Sequence, residues 1–184
     1  CIVHPHGMFL EEAIKSAGVI KFIIKKITLF LLKLLLNNKV TFVSITSQET
    51  RAIKKYFPEN KVNEISNPIP FYFNEIEKSK SKKIVYFGRL HPHKNLELVI
   101  DSFLKADLPK EWKLELYGIR DDEKYYLKLK KLIDHQKQIQ IKDPIFGKEK
   151  QIVMKESWLN ILISKSEVLS LSILESGLFG LPSL

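Results

Sequence analysis

The sequence predicts an α/β protein built on doubly wound parallel sheet, and three observations carry that expectation. From residue 83 onward, segments of strand character alternate regularly with amphipathic helical ones. The strand segments, such as KIVYFG and WKLELYG, are apolar nearly throughout, as strands covered on both faces must be. Glycines stand where strands hand over to helices, at Gly88 and Gly118.

The chain has 184 residues, 45% hydrophobic and 28% charged, the composition of a globular protein. One cysteine, Cys1, excludes an internal disulfide framework and a cysteine-based zinc site, and makes a reducing compartment the default. The net charge is +9, yet only Arg51, Arg89 and Arg120 among the 30 basic residues are arginine. The lysines are spread along the chain without the interleaved aromatics that single-strand binders use, so no nucleic-acid partner is expected. A basic surface meeting anionic lipid or phosphorylated substrates fits better. The start at Cys1 and the end in GLFGLPSL lead to the expectation of a fragment.

In order along the chain, residues 9–36 read as a long helix with Gly18 as its weak point. A membrane span needs about 20 nearly uncharged residues, and Lys21, Lys25, Lys26 and Lys33 interrupt this one. Those four and Lys15 fall within about 140° of the helix circumference, an arc shared with Phe22, Leu29, Leu32 and Leu36. Burial under a sheet is one reading; a basic helix lying on a membrane through residues 21–36 is the other. KVTFVSIT is expected as a strand, followed by helix SQETRAIKKYF capped by Ser47, with Glu49 in its first turn. KVNEIS is a short strand. The Pro-, Ser- and Lys-rich run that follows marks a linker over 67–82, between a unit at 1–66 and one at 83–184.

The second unit then runs strand 83–88, helix 94–106, strand 112–118, helix 122–136, strand 139–142, helix 148–157, strand 158–164 and helix 171–180. Ligands of such sheets lie beyond the carboxyl ends of the strands. After the first strand comes GRLHPHKN, where Gly88 permits close approach and Arg89 and Lys94 stand at a helix start. A planar guanidinium, a point cation and amides at a helix N-terminus together suit phosphate. After the second strand, Gly118 makes the turn, and Asp121 or Asp122 is expected as a helix cap. After the fourth, Glu167 and Glu175 bracket an apolar run; carboxylates there accept hydrogen bonds from sugar hydroxyls, Glu167 otherwise capping its helix and Glu175 otherwise facing solvent.

FGRLHPHKNLELVIDSF, WKLELYGIRDDEKYYLKLKKLI and SEVLSLSILESGLFGLP together resemble the donor domain of glycosyltransferase family 4, retaining enzymes of the GT-B fold with two Rossmann-like domains. HPHGMFLEEAIK and ITSQETRAIKKYF…ISNPIPF resemble the closing half of that family's acceptor domain, as in bacterial surface-polysaccharide and lipopolysaccharide transferases.

The resemblance implies that both domains are incomplete here. It implies that Gly88, Arg89 and Lys94 hold the diphosphate of a nucleotide-sugar donor. It further implies that Glu167 contacts the transferred sugar and Glu175 the ribose. Gly118 and the backbone around Leu169, Ser170 and Leu171 approach the donor, and His6 with Gly7 faces it across an interdomain cleft. A glycan or lipid-linked acceptor, no metal and no other cofactor, and a cytoplasmic site at the inner face of the membrane complete the expectation. Ser170, Asn95 and Pro144 depart from glycines usual in the family. A GT-B sugar-nucleotide epimerase and an inactive remnant or binding module are the alternatives.

Overall fold

A computed structural model describes residues 1–11, 14, 18–35, 40–69, 81–165 and 167–184. The chain divides into two units: Cys1–Pro68 with Ser166–Leu169, and Ile69–Lys165 with Ser170–Leu184. Most of the expected linker, residues 70–80, lies outside the described residues, as do 12, 13, 15–17 and 36 of the helix expected over 9–36.

The first unit holds three parallel strands in the order β1 (Ile2–Val3), β2 (Thr41–Ser44) and β3 (Val62–Glu64). Its two described helices are α1 (Gly18–Leu35) and α2 (Ser47–Tyr56). Phe42 of β2 is fully buried between Phe57, with ring centroids 4.9 Å apart, and Phe9, at 6.0 Å edge to face. Aromatic pairs in such geometry add about 0.5–1.5 kcal/mol to plain burial. Helix α2 is capped by Thr46 and not by Ser47. Thr46 is extended and accepts the Glu49 N–H at 3.2 Å, while Ser47 is already helical. The cap must leave helical φ/ψ, and of two adjacent hydroxyl residues the backbone selected the earlier.

Leu29 and Leu32 of α1 pack on this aromatic cluster. The arc that sequence assigned to the lysines is therefore the core-facing side of α1, and the opposite side is apolar and exposed.

The second unit has four parallel strands in the order β6-β5-β4-β7. They are β4 (Lys83–Arg89), β5 (Lys113–Ile119), β6 (Ile139–Lys142) and β7 (Leu159–Asn160). Between them run α3 (Leu96–Lys105), α4 (Glu123–Leu132), α5 (Gly147–Glu156) and finally α6 (Leu171–Leu178). Alternation along the strands assigns the two faces. Tyr86, Leu114 and Leu116 point to one cluster with Leu96 and Ile100 of α3 and Leu129 of α4. Val85, Phe87 and Tyr117 point to another with Met154 of α5 and Phe179 after α6. Burying each such side chain contributes about 1.5–3 kcal/mol. The last strand is shorter than the 158–164 expected, although its backbone pairing continues: Ile161 N–H donates to Val85 at 2.8 Å and Leu162 N–H to Leu184 at 2.6 Å. Helix α6 ends in a Schellman turn. Gly180 has φ 59°, and the Leu181 N–H reaches the Ser176 carbonyl at 2.9 Å.

Glu115 is buried mid-strand in β5, with Lys142 at 2.6 Å, Lys83 at 3.6 Å and the Tyr117 hydroxyl at 2.7 Å. Burial alone would raise its pKa; hydrogen bonds from Lys142 and Tyr117 and the charge of Lys83 outweigh it and hold the carboxyl below its ordinary 4.5. A depressed folded pKa gives stability that is present above the unfolded value and lost as pH falls through the folded one. Urea unfolding at neutral pH and near pH 4, followed by fluorescence of the Trp112–Trp158 pair, is expected to show the loss. Glu115→Gln should lower stability at neutral pH and shrink the difference between the two conditions.

Candidate functional site

Strand order places the site before any side chain is considered. The chain leaves β4 for β5 and β6 on one side, then returns to the other side of β4 as β7. Loops leaving the carboxyl ends of β4 and β7 therefore diverge, and such a switch point is where open α/β sheets bind ligands. The two loops are tied together: Lys165 N–H donates to the His93 carbonyl at 2.9 Å. The turn bearing Lys94 thus sits beside the loop that follows β7.

Gly88 and Gly118 are register partners on β4 and β5. A Cβ at Gly88 would lie 2.5 Å from the Tyr86 hydroxyl, which crosses it to donate to the Arg89 carbonyl at 2.8 Å. A Cβ at Gly118 would meet the Leu90 side chain at 2.5 Å and the Gly88 carbonyl at 2.7 Å. Both glycines are needed for packing within the sheet edge, and Gly118 is buried. Arg89 is the last residue of β4, not the first beyond it. Its guanidinium is 59% exposed and held by Asp121 at 3.0 Å. Asp122, in turn, is the cap of α4, accepting the Tyr125 N–H at 3.0 Å. One carboxylate contact leaves most of the five guanidinium donors for an oxyanion.

Lys94 is half-buried in a 3-10 turn, Pro92–Lys94, and α3 starts two residues later than expected. Asn95 adopts φ 54°, ψ 39°, a left-handed conformation. Asparagine tolerates that region best after glycine, so the departure at this position keeps the local backbone. The amides at the start of α3 are not the phosphate donors expected from sequence. Leu96 N–H donates to the Tyr125 hydroxyl at 2.9 Å and Leu98 N–H to Asn95 at 3.1 Å. Tyr125 itself bonds Glu97, whose charge also sits in that first turn. At this loop the cations are Arg89 and Lys94.

Helix α6 offers the amides instead. Its N-cap, Ser170, makes no side-chain cap, and the Ser170 and Ser172 hydroxyls bond each other at 3.1 Å. Ser170 has φ −81°, so its backbone does not require glycine. Leu169 is half-buried and Leu171 exposed. One turn on, Glu175 is half-buried and pairs with Lys150 of α5, so it does not simply face solvent. The Lys150 ammonium lies 5.3 Å from the Phe87 ring centroid, a cation–π contact. Phe87 is two residues before Arg89 on β4, which puts the Lys150–Glu175 pair at the same end of the sheet as the two cations. A pocket of about 80 Å³ opens there, lined by Gly147, Lys150, Gln151, Met154, Glu175 and Phe179. Ser164, closing the extended segment after β7, buries its hydroxyl without a partner among the described residues.

In the first unit, His6 (φ 47°) and Gly7 (φ 81°) form a left-handed turn after β1. The His6 ring is exposed and lies tilted against His4, centroids 3.9 Å apart and planes 32° apart. Glu49 fixes this turn. Fully buried, its carboxylate accepts the Gly7 N–H with one oxygen and the Ile45 N–H, at 2.9 Å, with the other. It thereby joins the loops leaving β1 and β2. Glu167 is exposed in the stretch Ser166–Leu169. Val168 from the same stretch fills the space over Gly7 that a Cβ would need.

The sequence profile described as "Glycosyl transferases group 1" matches residues 69–184. The chain belongs to this family. The match covers the whole second unit, with the Arg89, Lys94 and Glu175 positions inside it. No curated protein matches the chain by sequence. Solved structures do share its GT-B fold. The Anabaena Alr3699/HepE protein in complex with UDP and glucose superposes with a TM-score of 0.70 at 16% identity, over 99% of this chain and 51% of its own. TarM gives 0.66 at 19% identity, over 86% and 31%. The pneumococcal O-GlcNAc transferase GtfA, in complex with UDP and GlcNAc, gives 0.62 at 19%, over 78% and 29%. The chain thus spans about a third to a half of those proteins' lengths.

Sequence reasoning missed three contributors in this family member: Lys150, Asp121 as a partner of Arg89, and Glu49 as the clamp on His6–Gly7. Each acts across a tertiary contact, 25, 32 and 42 residues away in sequence. Only Glu49 left a trace, as an acid in the first turn of a helix expected to carry a Ser47 cap.

Proposed function

We propose that the protein transfers a hexosyl-type sugar from a nucleoside-diphosphate-sugar to a glycan or lipid-linked acceptor, with retention of configuration. The observation that carries this reading is the pair of cations, Arg89 and Lys94, on the loop leaving β4 at the switch point of a parallel sheet. Cleaving the sugar–phosphate bond leaves negative charge on the departing diphosphate. Fixed cations stabilise that charge as it develops, without reorganising. The α6 amides, to which the N-cap Ser170 lends no side-chain bond, add a favourable dipole. In this reading the charge needs no metal.

Glu175 takes the ribose. A carboxylate accepts about four hydrogen bonds, so Lys150 orients it and leaves capacity for two hydroxyls. Glu167 takes hydroxyls of the transferred sugar, and His6, held by Glu49, contacts that sugar from the acceptor side. Among the described residues no helix is long and apolar enough to cross a membrane. The proposed place of work is cytoplasmic, at the inner face of the membrane.

Three structural neighbours hold UDP, which makes it the first nucleotide to test. A screen of nucleoside diphosphates should find one that raises the melting temperature, since a ligand bound only by the native state stabilises it. For that nucleotide, Glu175→Ala should weaken calorimetric affinity about tenfold, the worth of a lost hydrogen-bond pair. Unchanged affinity would remove Glu175 from the site.

A further inference from the structure

Helix α1 carries an apolar face that is exposed among the described residues. Ile23, Ile24, Ile27, Phe30, Leu31, Leu34 and Leu35 are each 49–76% exposed. At 100° per residue they fall in one continuous arc of about 140°, opposite the Leu29 and Leu32 side that packs on the core. Seven large apolar side chains in one stripe form a contiguous patch of a kind that monomeric proteins rarely leave in water. Lys26 and Lys33, both exposed, border the stripe along one edge. Gly18–Leu35 holds four lysines and no acidic residue.

We propose that this face of α1 docks on an anionic lipid bilayer, lying in the interface plane. The apolar stripe enters the acyl boundary, and the bordering lysines extend their stems alongside it and place their ammonium groups among the headgroups. Charge selects this occupant over a second copy of the chain. In a symmetric dimer the same patch meets itself, so the Lys26 and Lys33 rows face like charge with no acid on the helix to pair with. Anionic lipid complements that row, each lysine near the surface adding to binding. The inference rests on the membrane placement proposed above, not on sugar chemistry, and its readout uses neither donor nor turnover.

Vesicle co-sedimentation tests it with the whole chain. Vesicles of phosphatidylcholine with about a third phosphatidylglycerol should bind at least about tenfold more protein than phosphatidylcholine alone, and added salt should lower the difference. Phe30→Glu should cut binding about tenfold or more, because a charge is placed in the inserted stripe. Lys26→Glu with Lys33→Glu should abolish the preference for anionic vesicles. All four positions in play are exposed, so thermal melts should match wild type. Leu98→Glu, 43% exposed on α3, should bind as wild type does. No vesicle binding, equal binding by wild type and Phe30→Glu, or a concentration-dependent dimer that Phe30→Glu dissociates would each overturn the proposal. Any of them would leave the glycosyl-transfer reading standing.

Discussion

Arg89→Ala is expected to lower turnover of the nucleotide-sugar donor about 100-fold or more while leaving the fold nearly as stable as before. The first half follows from chemistry. A donor aimed at developing charge contributes about 2.7–4 kcal/mol to transition-state stabilisation, because it is already in place when the charge appears. The second half follows from exposure. The guanidinium is 59% exposed, and its partner Asp121 is 37% exposed. Such surface pairs contribute about 0–1 kcal/mol to stability. Release of free nucleoside diphosphate gives the rate, and urea unfolding gives the stability. Lys94→Ala should act in the same direction, and Arg89→Lys should recover only part of the rate, since an ammonium lacks the planar fork. A rate within two- to threefold of wild type, roughly half a kcal/mol, would contradict the assignment.

Glu49→Ala should produce the largest loss of stability, confined to the first unit. The substitution strands two buried N–H groups, those of Gly7 and Ile45. Each costs about 1–3 kcal/mol when left without an acceptor, and a cavity in a fully buried position adds to that. A total of about 3–5 kcal/mol is outside the ordinary range for point substitutions. Glu49→Gln keeps one carbonyl oxygen and should lose roughly half as much. Amide hydrogen exchange reads the effect where it acts: Gly7 and Ile45 should lose protection, while Leu114 and Leu116 of β5 keep theirs. Loss of less than about 1 kcal/mol would show that the carboxylate is dispensable. With the clamp gone, the left-handed His6–Gly7 turn has lost what over-determines it.

Why some of this was legible in the sequence is a matter of range. Strands β4 and β5 announced themselves because strands covered on both faces are largely apolar, as KIVYFG and WKLELYG are apart from Lys83, Lys113 and Glu115. The Asp122 cap was one of two adjacent candidates, since capping is settled within four residues. The exchange of Ser47 for Thr46 as the other cap shows the limit of that rule: composition narrows a cap to neighbours, and backbone torsion picks one. The faces of α1 could not be assigned from periodicity. Its lysines and several of its leucines share one arc, and only the aromatic cluster of Phe9, Phe42 and Phe57 reveals which arc is covered.

The candidate site was legible to the same extent. Arg89, Lys94 and Glu175 were visible because each follows a strand in an alternating pattern, and topology alone sends them to one end of the sheet. Their partners were not. Nothing local links Lys150 to Glu175 or Asp121 to Arg89; both pairs exist only once β5 and α5 are laid beside β4. The expected α3 amides failed for a similar reason, because the Tyr125 hydroxyl that occupies Leu96 N–H comes from the next helix.

Titration of the isotope-labelled chain with the stabilising nucleoside diphosphate tests the central claim most directly, read as amide shifts residue by residue. Shifts grouped on Gly88–Asn95, the first turn of α6, and Lys150 with Glu175 are the predicted result. Saturable binding that leaves those three groups unmoved would contradict it.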